Sequence, residues 1–193
     1  MIKELILKNR SYRRFDGSVE VPRTALKKMI ELARFSASGS NKQPLKFIFC
    51  NNPVTNESIF STLAWAGALK DWDGPDFGER PTAYIIILHD TTISNDPGVD
   101  HGIAAQSILL GAVEAGYGGC MLGSINRPKL SEILKLERQY KILLVIALGK
   151  PVENVILEDL APGASTNYHR DAAMNHYVPK RSLKELIIKT YES

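Results

Sequence analysis

Residues 100–115 read DHGIAAQSILLGAVEA, and this run decides the class of fold. Ile103, Ala104, Ser107, Ile108, Gly111 and Ala112 recur at helical spacing and form one small face. The spacing predicts a helix over 100–115 that packs closely on a neighbour. Gly116, Gly118 and Gly119 follow it as a stop. Upstream, Tyr84 to Leu88 (YIIIL) is an unbroken apolar run between Pro81 and Asp90, the pattern of a strand buried on both faces. Downstream, Gly119 to Ser124 reads as a strand or an extended turn. Strands alternating with helical stretches argue for an α/β or an α+β chain.

Further out, Ile2 to Asn9 reads as a short helix, broken by the charged run Arg10 to Asp16. Pro22 suits the first turn of a second helix, carried forward by Leu26, Met29, Ile30 and Ala33. Ser36 to Pro44 is small and polar, hence loop, and Leu45 to Cys50 reads as a strand. Thr55 to Leu63 reads as a helix capped by Thr55. Pro128 to Leu136 reads as another helix, and Ile142 to Leu148 as a buried strand. Residues 65–81, rich in Gly, Pro, Asp and aromatics, form an irregular excursion. Pro151 to Tyr168 reads as loop, and Leu183 to Tyr191 as a final helix or extended arm.

A chain of 193 residues fits one domain of ordinary to large size, or at most two small ones, and buries a core without staples. Its net charge of +3 is too weak for a surface that lives on nucleic acid. Cys50 and Cys120 stand in apolar surroundings with no CxxC spacing, as reduced buried thiols do in a cytoplasmic protein. The N-terminus carries acids and no long apolar run, so it does not read as a secretory signal, and no stretch reaches a membrane-spanning length. His89, His101, His169 and His176 lack paired ligand spacing, which argues against a metal. No nucleophile elbow and no P-loop is present.

Four segments could carry chemistry. Arg10-Ser11-Tyr12-Arg13 offers guanidinium forks and a short hydroxyl, the donor set that a phosphate takes; it equally suits a solvated basic turn. Ser38, Gly39 and Asn41 lie in SASGSNKQP (36–44), whose small residues and amides suit the edge of a flat heterocycle as well as an ordinary polar loop. The run 116–124, GYGGCMLGS, has the wrong glycine spacing for a dinucleotide fingerprint and follows a helix instead of opening one. It presents the backbone N–H groups of Gly123 and Ser124, or simply ends a helix. Lys180 and Arg181 add late cations, for an anion or for the surface.

In this order, RSYRRF, SASGSNKQP, GYGGCMLGSI, LGKP and KRSL, the chain resembles the nitroreductase family of FMN-dependent oxidoreductases over essentially its whole length. The resemblance implies a single α+β domain over 1–193. It has a three-layer fold, a central, mostly antiparallel sheet flanked by helices, an intertwined homodimer and a C-terminal arm at 179–193. It assigns the FMN phosphate to Arg10, Ser11 and Arg13, joined by Lys180 or Arg181. Ser38, Gly39 and Asn41 would reach the ring from the other subunit, and Gly123 and Ser124 would face its N5 and O4 edge. Hydride would pass from NADH or NADPH through the flavin to a small electron-poor acceptor, a nitroaromatic or quinone, in ping-pong fashion. No side chain would then be an obligatory acid or base. Trp65, Trp72 and Phe77 would flank the acceptor. A non-catalytic module for a flavin or another anionic nucleotide is the alternative. Leu45 and Ser124 depart from the family pattern, which bears on the acceptor more than on the flavin.

Overall fold

The computed structural model describes residues 1–192. Contacts group them into two compact units: Met1–Trp65 with Asp73–Val152, and Ala66–Trp72 with the chain from Glu153 on.

The first unit is built on a five-stranded sheet. Its strands are β1 (Phe15–Asp16), β2 (Leu45–Cys50), β3 (Ala83–Asp90), β4 (Gly118–Leu122) and β5 (Tyr140–Pro151). Every pairing is antiparallel: β2 with β3, β3 and β4 on either side of β5, and β1 with the end of β5. The apolar run at 84–88 is the middle of β3, a strand buried along its whole length, as a central strand covered on both faces must be. Burial also raises the Tyr84 phenol far above its ordinary pKa, so it stays neutral. The β3–β5 register slips at Ile87/Leu88, where β5 carries the extra residue Leu143. Arg127 steadies that bulge by donating from Nε to the Ile142 carbonyl at 2.9 Å and from Nη2 to that of Leu143 at 3.2 Å.

Five helices accompany this sheet: α1 (Ile2–Lys8), α2 (Arg23–Phe35), α3 (Pro53–Phe60), α4 (Asp100–Glu114) and α5 (Arg127–Ile133). Leu26, Met29 and Ala33 of α2 and Ala104, Ala105, Ile108, Leu109 and Ala112 of α4 join Ile85, Ile87, Ile146 and Leu148 in one core. Gly111 lets the helices approach: an added Cβ would lie 2.4 Å from Leu32 Cδ1. The buried stripe of α4 is turned from the expected one. Ala105 and Leu109 are inside, whereas Ile103 is 37% exposed. Gly116, at φ +79°, ends the helix as the sequence predicts.

Two short helices start earlier than expected because an asparagine caps each of them upstream of the predicted start. Asn52 Oδ1 accepts the Thr55 N–H at 3.0 Å and Pro53 takes the first helical position, so Thr55 lies inside α3. Asn126 likewise accepts from Lys129 N at 3.2 Å, and α5 ends at Ile133 before the left-handed Lys135.

The second unit overturns the reading of 151–168 as loop. Residues Val155–Asp159 form β6, paired in parallel with β8 (His176–Lys180), while β7 (His169–Arg170) runs antiparallel to β8. Of the segment read as a final helix or extended arm, only Leu183–Leu186 is helical, a single turn, α6, closed by a reciprocal Ser182–Glu185 capping box. Inside this unit Glu153 and Arg170 form a buried ion pair, His176 lies against Glu153, and Arg170 stacks on Trp72.

Among the described residues no helix is long and apolar enough to cross a membrane. Cys50 and Cys120 are both buried, and neither is in a disulfide among the described residues.

Candidate functional site

The basic segment after α1 lies along the first residues of β4. Ser11 bridges Gly119 in parallel, and Tyr12 N donates to the Gly119 carbonyl at 3.1 Å. Only bare backbone permits this approach. A Cβ on Gly119 would come within 2.2 Å of the Ala147 carbonyl oxygen, and one on Gly118 within 2.5 Å of the Tyr12 ring. Two donors cap the open end of α1: Arg10 Nη2 reaches the Ile6 carbonyl at 2.7 Å, and the Tyr12 hydroxyl reaches that of Lys8 at 2.9 Å.

The three arginines separate by role. Arg14 is bound to Glu79 through Nε at 2.5 Å and Nη2 at 2.6 Å, so its fork is spent on the fold. Arg13 turns Nη1 to the Ser11 carbonyl at 3.2 Å. Arg10 Nε is buried with no acceptor among the described residues, and Ser11 is exposed. An orphaned guanidinium N–H, a second guanidinium and an accessible hydroxyl on one short segment fit a phosphate monoester.

Past the end of β4, Gly123 and Ser124 are exposed. Ala64 N donates to the Ser124 carbonyl at 3.0 Å, and Leu63 bridges Ile125. A Cβ built on Gly123 meets nothing within 4 Å, so a flat ring has room to approach the main chain there.

The third segment is a tight loop. Residues 39–41 make one turn of 3-10 helix, and Ser40, Asn41 and Gln43 have φ of 50°, 53° and 52°. Ser38 Oγ donates to Asp100 Oδ2 at 2.6 Å, Gly39 N donates to Asp100 Oδ1 at 2.9 Å, and Gln43 N donates to Ser38 Oγ at 2.9 Å. The Gln43 amide nitrogen also reaches Asn41 Oδ1 at 3.1 Å. Ser38, Gln43, Phe47 and Asp100 help to line a cavity of about 290 Å³.

A sequence model of the family described as the nitroreductase family matches residues 6–150. The chain belongs to the nitroreductase family. It is therefore an oxidoreductase. A nitroreductase family protein from Clostridium novyi NT superposes with a TM-score of 0.65 at 25% identity, covering 78% of this chain and 86% of that one. An FMN-dependent nitroreductase from Clostridium difficile R20291 gives 0.65 at 23% identity, over 80% and 89% of the two chains. Nitroreductase A from Vibrio parahaemolyticus RIMD 2210633 gives 0.62 at 24%, over 79% and 68%. No curated protein sequence matches the chain.

Within this nitroreductase-family chain, the residues proposed for an acceptor differ in setting. Trp65 is 6% exposed, packed on Phe60 and below Gly74, where it fills the first unit. Phe77 is 79% exposed. Trp72 belongs to the second unit, beneath Arg170. Lys180 ends β8 and is exposed, and Arg181 pairs with Glu185 at 3.5 Å. Asp100, which the sequence marks only as the first residue of the helix over 100–115, has both carboxylate oxygens turned to the 38–39 backbone and hydroxyl. An acid at the first position of a helix is common, and nothing local announces such a distant partner.

Proposed function

We propose that the protein is an FMN-dependent oxidoreductase that takes hydride from NADH or NADPH and delivers it to a small electron-poor acceptor, working as a homodimer. The Ser11–Gly119 bridge carries the reading, because it brings the phosphate-type donors of 10–13 to the strand whose far end exposes Gly123 and Ser124. The C. difficile relative, named as FMN-dependent, supports the choice of cofactor.

Arg10, with its unused Nε, together with Ser11 and Arg13, would hold the phosphate through charge-assisted bonds. Lys180 and Arg181 are the further cations that this reading offers to it. Gly123 and Ser124 would direct main-chain N–H dipoles at the ring edge where negative charge gathers, an electrostatic stabilisation of the same kind as an oxyanion hole. Ser38, Gly39 and Asn41 would supply the amide and hydroxyl contacts to the ring of a partner subunit. Bound FMN supplies the two-electron chemistry, and the chain supplies position and field. Trp65, Trp72 and Phe77 remain the aromatic side chains proposed around the acceptor.

The visible spectrum of the purified protein tests the reading. Flavin absorbance that bleaches on adding NADH or NADPH and returns with a quinone supports it. Protein that stays colourless after incubation with FMN overturns it. Stoichiometric FMN with no oxidation of either nicotinamide would point to a binding module without turnover.

A further inference from the structure

We infer that Asp100 is the positioning residue of the ring-facing loop, holding 38–43 in its binding shape so that flavin affinity depends on this carboxylate through the ring and not through the phosphate. The inference rests on the reading of that loop as a flavin contact.

Three non-glycine residues within 40–43 sit at positive φ, where an L side chain crowds its own carbonyl. A loop left to itself would relax out of that conformation, so something must over-determine it. Asp100 does so from outside the loop. Its Oδ2 takes the Ser38 hydroxyl and its Oδ1 the Gly39 N–H, while the same Ser38 oxygen receives the Gln43 N–H. One carboxylate thereby ties together both ends of the left-handed segment.

The simpler account, that Asp100 only starts its helix, does not match the geometry. Val99 is the N-cap of α4, and no side-chain cap bond is made there. Asp100 is 5% exposed and its two carboxylate oxygens are turned to the loop. Its own backbone is fixed by a helix whose Ala104, Ala105 and Ile108 lie in the core, so the anchor is rigid where the loop is exposed. The helix N-terminus also favours a negative charge at this position. Carboxylate bonds to N–H and O–H are the strong kind, suited to holding a strained turn.

The test compares wild type, D100A, D100N and S38A, each titrated with FMN and with riboflavin by flavin fluorescence. D100A is expected to weaken both ligands by the same factor, about tenfold, equivalent to about 1.4 kcal/mol. D100N, which keeps one acceptor oxygen, and S38A, which breaks the link to Gln43, should fall between D100A and wild type. At saturating FMN the absorption bands of the flavin bound to D100A or S38A should differ from wild type, a change that mere loss of folded protein would not produce. Should D100A fail to fold, D100N carries the same comparison, since it leaves Ser38 and its hydroxyl in place. Unchanged affinities and spectra, or loss confined to FMN with riboflavin unaffected, overturn the inference. A wild-type protein that binds neither flavin overturns instead the functional reading on which it stands.

Discussion

The backbone of Ser11 bridges that of Gly119, with Tyr12 N donating to the Gly119 carbonyl at 3.1 Å. This contact fixes one end of the proposed phosphate site against the central sheet, because β4 is itself paired with β5 from Gly118 to Leu122. Guanidinium groups on a mobile terminus would lose entropy on gripping a ligand; here the segment that bears them is already ordered.

Replacing both Arg10 and Arg13 with Ala should lower FMN affinity about 100-fold, the worth of two charge-assisted bonds. Riboflavin, which has no phosphate, should bind as it does to wild type. Paired fluorescence titrations check this, and equal loss for both ligands would remove the phosphate assignment.

Gly119→Ala should destabilise the first unit by about 2 kcal/mol, since the new methyl would press on the Ala147 carbonyl and on Leu148 at the centre of the sheet. Urea unfolding followed by tryptophan fluorescence measures it. A wild-type midpoint would mean that β4 can move away from β5 at little cost.

Trp65→Ala should cost about 3–5 kcal/mol, as expected for emptying a packed aromatic site. Phe77→Ala, at an exposed position, should stay within about 0.5 kcal/mol of wild type. For Phe77 the informative readout is therefore kcat/KM for the acceptor, which should fall if its ring covers that substrate.

Asp90 is held below the ordinary carboxylate pKa by the Thr92 hydroxyl at 2.6 Å first of all, and also by the Thr92 N–H, against an opposing effect of burial. A depressed folded-state pKa contributes stability that is full above the unfolded value, about 3.9, and is lost as pH falls through the folded one. Thr92→Val should lower the melting temperature at pH 7 and flatten its fall between about pH 5 and pH 2. Calorimetry across that range decides it: parallel curves for the two proteins would contradict the assignment.

Glu153 and Arg170 have side chains 0% and 8% exposed, so removing one strands a charge in the interior of the second unit. Glu153→Ala should destabilise that unit by about 3–5 kcal/mol. Hydrogen exchange should show the amides of β6 and β8 losing protection while those of β3 keep theirs. Uniform loss along the whole chain would show that the two units do not unfold separately.

The parts of the fold legible in the sequence were those with a strong local period. YIIIL had to be a covered strand, because a solvent-facing side would expose several large aliphatic groups, and it is the centre of β3. The small-residue run at 100–115 had to be a close-packing helix, yet its period alone did not settle which side faces inward; Leu32 and Met29 of the neighbouring helix settled that. Residues 155–159 carry one apolar cluster, Val155-Ile156-Leu157, and two acids, too little to separate strand from loop without the partner β8.

Local order is written in nearest-neighbour chemistry, so the sequence by itself determined the existence of the main helices and buried strands, the glycine stop at 116 and the sites of the donor-rich segments. What only the tertiary structure decided was which of those segments meet: Ser11 with Gly119, Asp100 with Ser38, Val155 with His176. Such pairings join residues far apart in the chain, and their free energy depends on a packed core that brings them together, a quantity that no short window of residues contains.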